Sequence, residues 1–152
     1  MGTLGFVNAP PVEPALDRAA VEVARERRVR RDALVTSSPS VTVAMLVDAR
    51  QVEQGSVRSW LHRHRRAGRI VAVDHDHVVL VPTFQLDDDL GLRDDVAAVT
   101  ARLSKAGLDS WAAWAWWCGY RATLEAAPID VLNAGRHDQL QAAVDRLVDP
   151  QG

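Results

Sequence analysis

Several rhythms of apolar and polar positions run along the chain, and each predicts an element. From Glu13 to about Leu34 the chain, with alanine, valine and leucine among charged residues, reads as a helix. Pro14 suits a first turn, acids come early (Glu13, Asp17, Glu22), and the run RERRVRR comes late, as the helix dipole favours. Thr36–Ser40, TSSPS, reads as a loop, after which Ser40 or Thr42 caps a helix to about Arg50. Gly55 and Ser56 mark a stop and a new start. Ser56–Arg66 then carries Val57, Trp60 and Leu61 at spacings of three and four, an amphipathic stripe closed by Ala67–Gly68.

The rhythm changes at Ile70. Ile70–Val73 and Val78–Val81 are short β-branched runs flanking Asp74-His75-Asp76-His77, which predicts a β-hairpin with a polar turn and Pro82 as its end. Gln85–Asp95, with five aspartates, reads as a linker or an acidic helix start. Helical periodicity returns over Asp94–Lys105, Asp109–Ala126, Ile129–Ala134 and His137–Leu147, punctuated by Gly107, Pro128 and Gly135. The expected fold is mainly α with a small β-hairpin: a winged helix-turn-helix-like N-terminal half followed by a small helical C-terminal domain. The boundaries expected are a loose tail over 1–12, a DNA-binding module over 13–87 and a helical toxin-binding or dimerisation domain over 88–152.

Composition narrows the class. Apolar residues make up 47% and charged ones 25%, ordinary for a chain with a packed core. Cys118 is the single cysteine, which excludes an internal disulfide and a Cys-rich zinc site. The longest strongly apolar stretch, Trp111–Cys118, is too short to cross a bilayer, and Met1–Val12 lacks the pattern of a signal peptide. A cytoplasmic protein without a membrane partner is expected. The net charge of −2 conceals an asymmetry: residues 1–73 hold 12 Arg against 7 acids, and residues 74–152 hold 6 Lys and Arg against 13 acids. A basic half that meets DNA joined to an acidic half fits that division.

The candidate chemistry follows the charge. No acid lies between Glu53 and Asp74, and the helix over Ser56–Arg66 presents Ser56, Arg58, Ser59, His62, Arg63, Arg65 and Arg66, with Arg69 just beyond. In a helix-turn-helix the start of the second helix reaches base edges while flanking arginines hold phosphates, so these eight residues are the expected DNA contacts. A solvated helix face is the competing reading. RERRVRR is equally a second phosphate contact or a solvated helix end. His75 and His77, alternate residues of an extended strand, share a face, but no third ligand lies at a convincing spacing, so no metal is expected. The two aspartates of that tip repel phosphate and make the wing a weak contact.

DSWAAWAWWCGY, residues 109–120, is apolar on every side. Such a helix is buried in a core or covered by a partner, and Trp and Tyr are also common anchors of interfaces. Cys118 there reads as a small buried hydrophobe. A phosphate-binding glycine loop, a Gly-x-Ser-x-Gly elbow and an HExxH are all missing, so no catalytic residue and no cofactor are expected.

The order of these features resembles the Xre/MbcA/ParS-like antitoxins. The residues that carry the resemblance are Arg66-Ala67-Gly68-Arg69-Ile70, then Val81-Pro82-Thr83-Phe84-Gln85-Leu86-Asp87, similar to that family's YPxFQFD strand end. Trp111 and Trp114 match its Trp-containing helix, and Leu124, Pro128, Leu132 and Gly135 its C-terminal pattern, with His137–Leu147 as the final helix. The match spans roughly residues 40–148. It departs at Ala126, where the family has Gly, and at Ala49–Gly55, which fits the usual helix-turn-helix spacing poorly. The resemblance implies a homodimeric antitoxin that represses its own operon by binding operator DNA, and that binds and occludes a RES-domain, NAD-consuming toxin. The partner-binding or dimerisation residues would be Trp111, Trp114, Trp116, Trp117, Tyr120, Leu124, Pro128 and Leu132, with Asp145 to Gly152 as the occluding end. The alternative is a stand-alone transcription regulator whose C-terminal half only dimerises. A third reading is an adaptor whose basic helix docks an acidic protein.

Overall fold

A computed structural model describes residues 14–151, so the tail over 1–12, Glu13 and Gly152 lie outside the described residues. In chain order the elements are α1 (Pro14–Ser37), β1 (Ser40–Thr42), α2 (Val43–Arg50), α3 (Gln54–Arg66), β2 (Val73–His75), β3 (Val78–Pro82), α4 (Asp94–Lys105), α5 (Ser110–Cys118), α6 (Pro128–Asn133) and α7 (His137–Val148). The fold is mainly helical with one small antiparallel sheet. No helix among the described residues is long and apolar enough to cross a membrane.

The chain divides into two units, residues 1–36 and 37–152. The first is built on α1, which carries Asp17 in its first turn and the exposed pairs Glu22–Arg25 (3.5 Å) and Arg28–Asp32 (3.9 Å) on its own surface. The second holds every other element. The expected boundary near residue 87 therefore does not coincide with the division: the hairpin and the C-terminal helices share one unit.

Within that unit the sheet order is β1-β3-β2. TSSPS does not end as a loop, because Ser40–Thr42 pairs antiparallel with β3, Val41 facing Val81. Thr42 then caps α2, its hydroxyl accepting from the Met45 amide at 3.1 Å. The hairpin is tighter than its sequence suggests. β2 takes in Asp74 and His75, and the last pair is His75 with Val78. Asp76 and His77 alone turn the chain with φ of 50° and 67°, the two positive values that a type I′ turn requires.

Ile70–Ala72, read from sequence as the first strand, is instead a buried crossing segment. The backbone bonds of Val71 go to a side chain. The fully buried Gln85 accepts from the Val71 amide at 2.8 Å and donates to the Val71 carbonyl at 2.7 Å and the Pro82 carbonyl at 3.0 Å. Around it Leu46, Val57, Leu61, Ile70, Ala72, Val81 and Leu86 form one core cluster. Gln85–Asp95 is no linker. Asp87 Oδ1 accepts from the amides of Asp89 and Gly91, both at 2.9 Å, and the Arg93 amide returns to the Gln85 carbonyl at 2.8 Å.

The C-terminal helices pack through Val96, Val99 and Leu103 of α4, Trp114 and Trp117 of α5, Val131 of α6, and Leu140 and Val144 of α7, all buried. α5 stops at Cys118, eight residues short of the expected end at Ala126. Gly119 takes an extended conformation (φ −94°, ψ 142°), and a Cβ there would sit 2.7 Å from the Ala115 carbonyl oxygen. Beyond it the chain forms a small loop closed by the Arg121 amide on the Ala126 carbonyl (3.0 Å), with Leu124 turned into the core.

Candidate nucleic-acid interface

α2 and α3 are joined by three residues, Gln51–Glu53, with Gln51 in the left-handed region (φ 54°, ψ 46°). Gly55, taken from sequence as part of the break, lies inside the first turn of α3, and the helix starts two residues before Ser56. Val57 and Leu61 anchor the inner face of α3 in the core. Trp60 fixes its rotation from the side: the Arg50 guanidinium of α2 lies 4.8 Å from the Trp60 ring centroid, and His64 meets the same ring edge-on at 5.4 Å. Burial, reinforced by the Arg69 and Arg63 charges and opposed by Asp94, holds the His64 pKa below its ordinary value.

What remains outward is polar and basic. Ser56, Arg58, Ser59, His62, Arg63, Arg65 and Arg66 are all exposed, and Arg69 is half-buried. The structure separates these eight. Arg65 leans on the hairpin, with Nη2 3.8 Å from the Asp74 carboxylate and 3.5 Å from the Ala72 carbonyl. Arg69 lies 3.7 Å from the Asp94 carboxylate. Both arginines therefore serve partly as internal ties, and their charge is offset locally. Arg58, Arg63 and Arg66 have no acidic partner among the described residues. Gln54 belongs to the same face and was not singled out from sequence. With its amide turned so that both ends find matching partners, its oxygen accepts from Arg58 Nη2 and Nε at 2.9 and 3.0 Å. The spacing of four residues within a helix was the signal for it.

The hairpin adds little positive charge. Asp74, Asp76 and His77 are exposed, while His75 is partly covered and meets Trp111 of α5 at 6.0 Å between rings. His75 and His77 do not share an extended strand, because His77 sits in the left-handed turn. Among the described residues no group of three or more metal-ligating side chains comes together.

The residues expected to meet a protein partner are mostly interior. Trp114, Trp116 and Trp117 are buried, as are Leu124, Pro128 and Leu132. Trp114 Nε1 donates to Ser38 Oγ at 2.9 Å, and Trp117 Nε1 to Thr100 Oγ1 at 3.1 Å, so each indole N–H has an internal acceptor. Core burial is the reading that holds for these three indoles, and as surface anchors they are unusable. Trp111 is half-buried and stacks on Trp114 at 5.7 Å, whereas Tyr120 is 69% exposed. Asp145 is exposed but bound to Arg102 at 2.6 Å, tying α7 to α4. Cys118 faces Ser38 at 3.7 Å, and burial pushes its thiol pKa up.

No family model matches the chain, and no curated protein matches it. Among solved structures, the NMR structure of Rv2175c aligns with a TM-score of 0.57 at 18% identity, over 74% of this chain and 80% of that one. At that identity the likeness is one of fold.

Proposed function

We propose that the protein is a DNA-binding transcription regulator that lays α3 in the major groove. One observation carries this reading: α3 holds its apolar side in the core and turns outward a continuous polar face on which Arg58, Arg63 and Arg66 have no acidic partner. Two helices joined by a three-residue turn, followed by a two-stranded hairpin, are the order of a winged helix-turn-helix. The three-residue turn over Gln51–Glu53 supports that reading. Arginine charges left unneutralised by the fold suit a polyanion, since each phosphate they engage releases counterions. The aspartates of the hairpin limit it to a minor role at the backbone.

The test is the affinity of the full chain for duplex DNA, including the region upstream of its own gene, measured against salt. With Arg63 and Arg66 on phosphates, log K should fall against log[salt] with a slope of about −2 or steeper. Substituting Arg58 and Arg63 together by Ala should abolish binding with the circular dichroism unchanged. A flat salt response would end the reading and favour the adaptor alternative.

An antitoxin acting on a RES-domain toxin, as a homodimer, is the second reading. It is supported by the colinear residues Arg66–Ile70, Val81–Asp87, Leu124, Pro128, Leu132 and Gly135. Exposed Tyr120, half-buried Trp111 and the end of α7 are the surfaces left to it. Co-expression with a RES-domain toxin encoded beside it should restore growth, and Tyr120→Ala should weaken that rescue. Without such a neighbour, or without rescue, the regulator stands alone.

A further inference from the structure

We infer that Gln54 and Arg58 form one base-reading unit that selects a guanine in the major groove. The inference rests on the DNA-binding reading and adds a specificity to it. Arg58 is exposed on α3 one turn after Gln54, and with the Gln54 amide turned to match its partners, its carbonyl oxygen takes two of the Arg58 N–H groups, on Nη2 and Nε, at 2.9 and 3.0 Å. That pair of bonds occupies the Nε side of the guanidinium and fixes the plane of the group. The opposite edge, Nη1 with the second Nη2 hydrogen, is not used by that pair and leaves two parallel donors on an exposed side chain. Guanine presents two acceptors, O6 and N7, to such a fork, and that is the commonest specific contact in the major groove. Holding the fork rigid before contact reduces the rotamer freedom lost on binding.

Two further features direct this end of α3 to bases instead of phosphates. Glu53, exposed at the N-cap with no side-chain capping bond, is an anion beside the pair and disfavours a phosphate there. Gly55 lies between the two residues, and a Cβ built on it would meet nothing within 4 Å, so the helix is bare on this side and can approach closely. Arg63 and Arg66, one to two turns further on, are placed for the backbone.

The experiment is a selection of bound sites by the full chain from a random-sequence duplex library. Anisotropy titrations of the selected site then follow, with each guanine replaced in turn by 7-deazaguanine, which lacks N7. One guanine should be preferred over other bases by about tenfold or more, the range of a bidentate contact. Arg58→Ala should erase that preference, Gln54→Ala should reduce it several-fold with the salt slope unchanged, and Arg66→Ala should weaken all sequences alike. Salt-dependent binding with no guanine preference, or a preference that survives Arg58→Ala, overturns the inference and leaves the DNA-binding reading standing. Absence of salt-dependent duplex binding overturns both.

Discussion

Gln85 does in this fold what a backbone strand would do elsewhere. Val71 is fully buried, and its amide and carbonyl both end on the Gln85 side chain. Gln85→Ala leaves those two groups buried without partners, at about 1–3 kcal/mol each. The urea midpoint should therefore fall by the equivalent of about 3 kcal/mol, whereas an exposed substitution such as Gln54→Ala should change it little. A midpoint loss no larger than that of Gln54→Ala would show the clamp to be dispensable. Gly68 is constrained in a different way: its φ is +68°, and a Cβ would sit 2.6 Å from Ser104 Oγ and 2.9 Å from Ser104 Cβ. Gly68→Ala should cost about 2 kcal/mol, from left-handed strain plus displacement of Ser104. The double variant with Ser104→Gly should recover the steric part and retain the strain.

At the scale of elements, α3 owes its orientation to Trp60, Arg50 and His64, which gives it a pH dependence. The folded state holds the His64 pKa below its ordinary value of 6.5, so below that pH the unfolded chain binds the proton more readily. This contribution to stability is complete above about pH 6.5 and is lost as pH falls toward the folded pKa. Urea titrations at pH 7.5 and 5.5 should show the decrease, and His64→Gln should flatten that part of the profile. Asp95 acts further down the scale: burial raises its pKa, but Arg93's hydrogen bond and the Val96 amide outweigh this and lower it, so its contribution is lost only in stronger acid. The sequence made α3 legible because a single stripe, Val57–Trp60–Leu61, decides its buried side. α5 was legible as apolar but not in length, since its end depends on the close approach of Gly119 to the Ala115 carbonyl. β1 was hidden because Ser40–Thr42 has no strand pattern of its own and is a strand only through pairing with β3. Ile70–Ala72 looked like a strand because burial selects the same residues whether the partner is a backbone or a glutamine. The basic face was readable residue by residue, but the offsetting of Arg65 and Arg69 by Asp74 and Asp94 was not. Both acids come next to them only in the folded chain.

For the whole molecule, the boundary that matters lies near Thr36. The unit over 37–152 contains the sheet, both core regions and the proposed DNA-binding face, with Ser38 bonded to Trp114 and Phe84 against Trp117 at 5.8 Å across the expected domain boundary. α3 and the Trp-rich helix thus belong to one unit, and a substitution such as Trp117→Ala should weaken the proposed DNA binding through unfolding, not through a lost contact. α1 is a different case. Among the described residues its unit holds one helix, on which Val21, Val23 and Val29 are 56, 50 and 61% exposed. A single helix has little stability of its own, because tertiary burial of an apolar face normally supplies it. Hydrogen exchange should therefore rank the two units apart: α1 amides should exchange first, by local opening, and those of α4 and α5 only on global unfolding. A chain starting at Ser37 should keep the urea midpoint of the full protein while losing the helical signal of all but the last of the 24 residues of α1. Protection of α1 up to the global level, or a lowered midpoint on its removal, would contradict the division and make α1 part of the core-bearing unit.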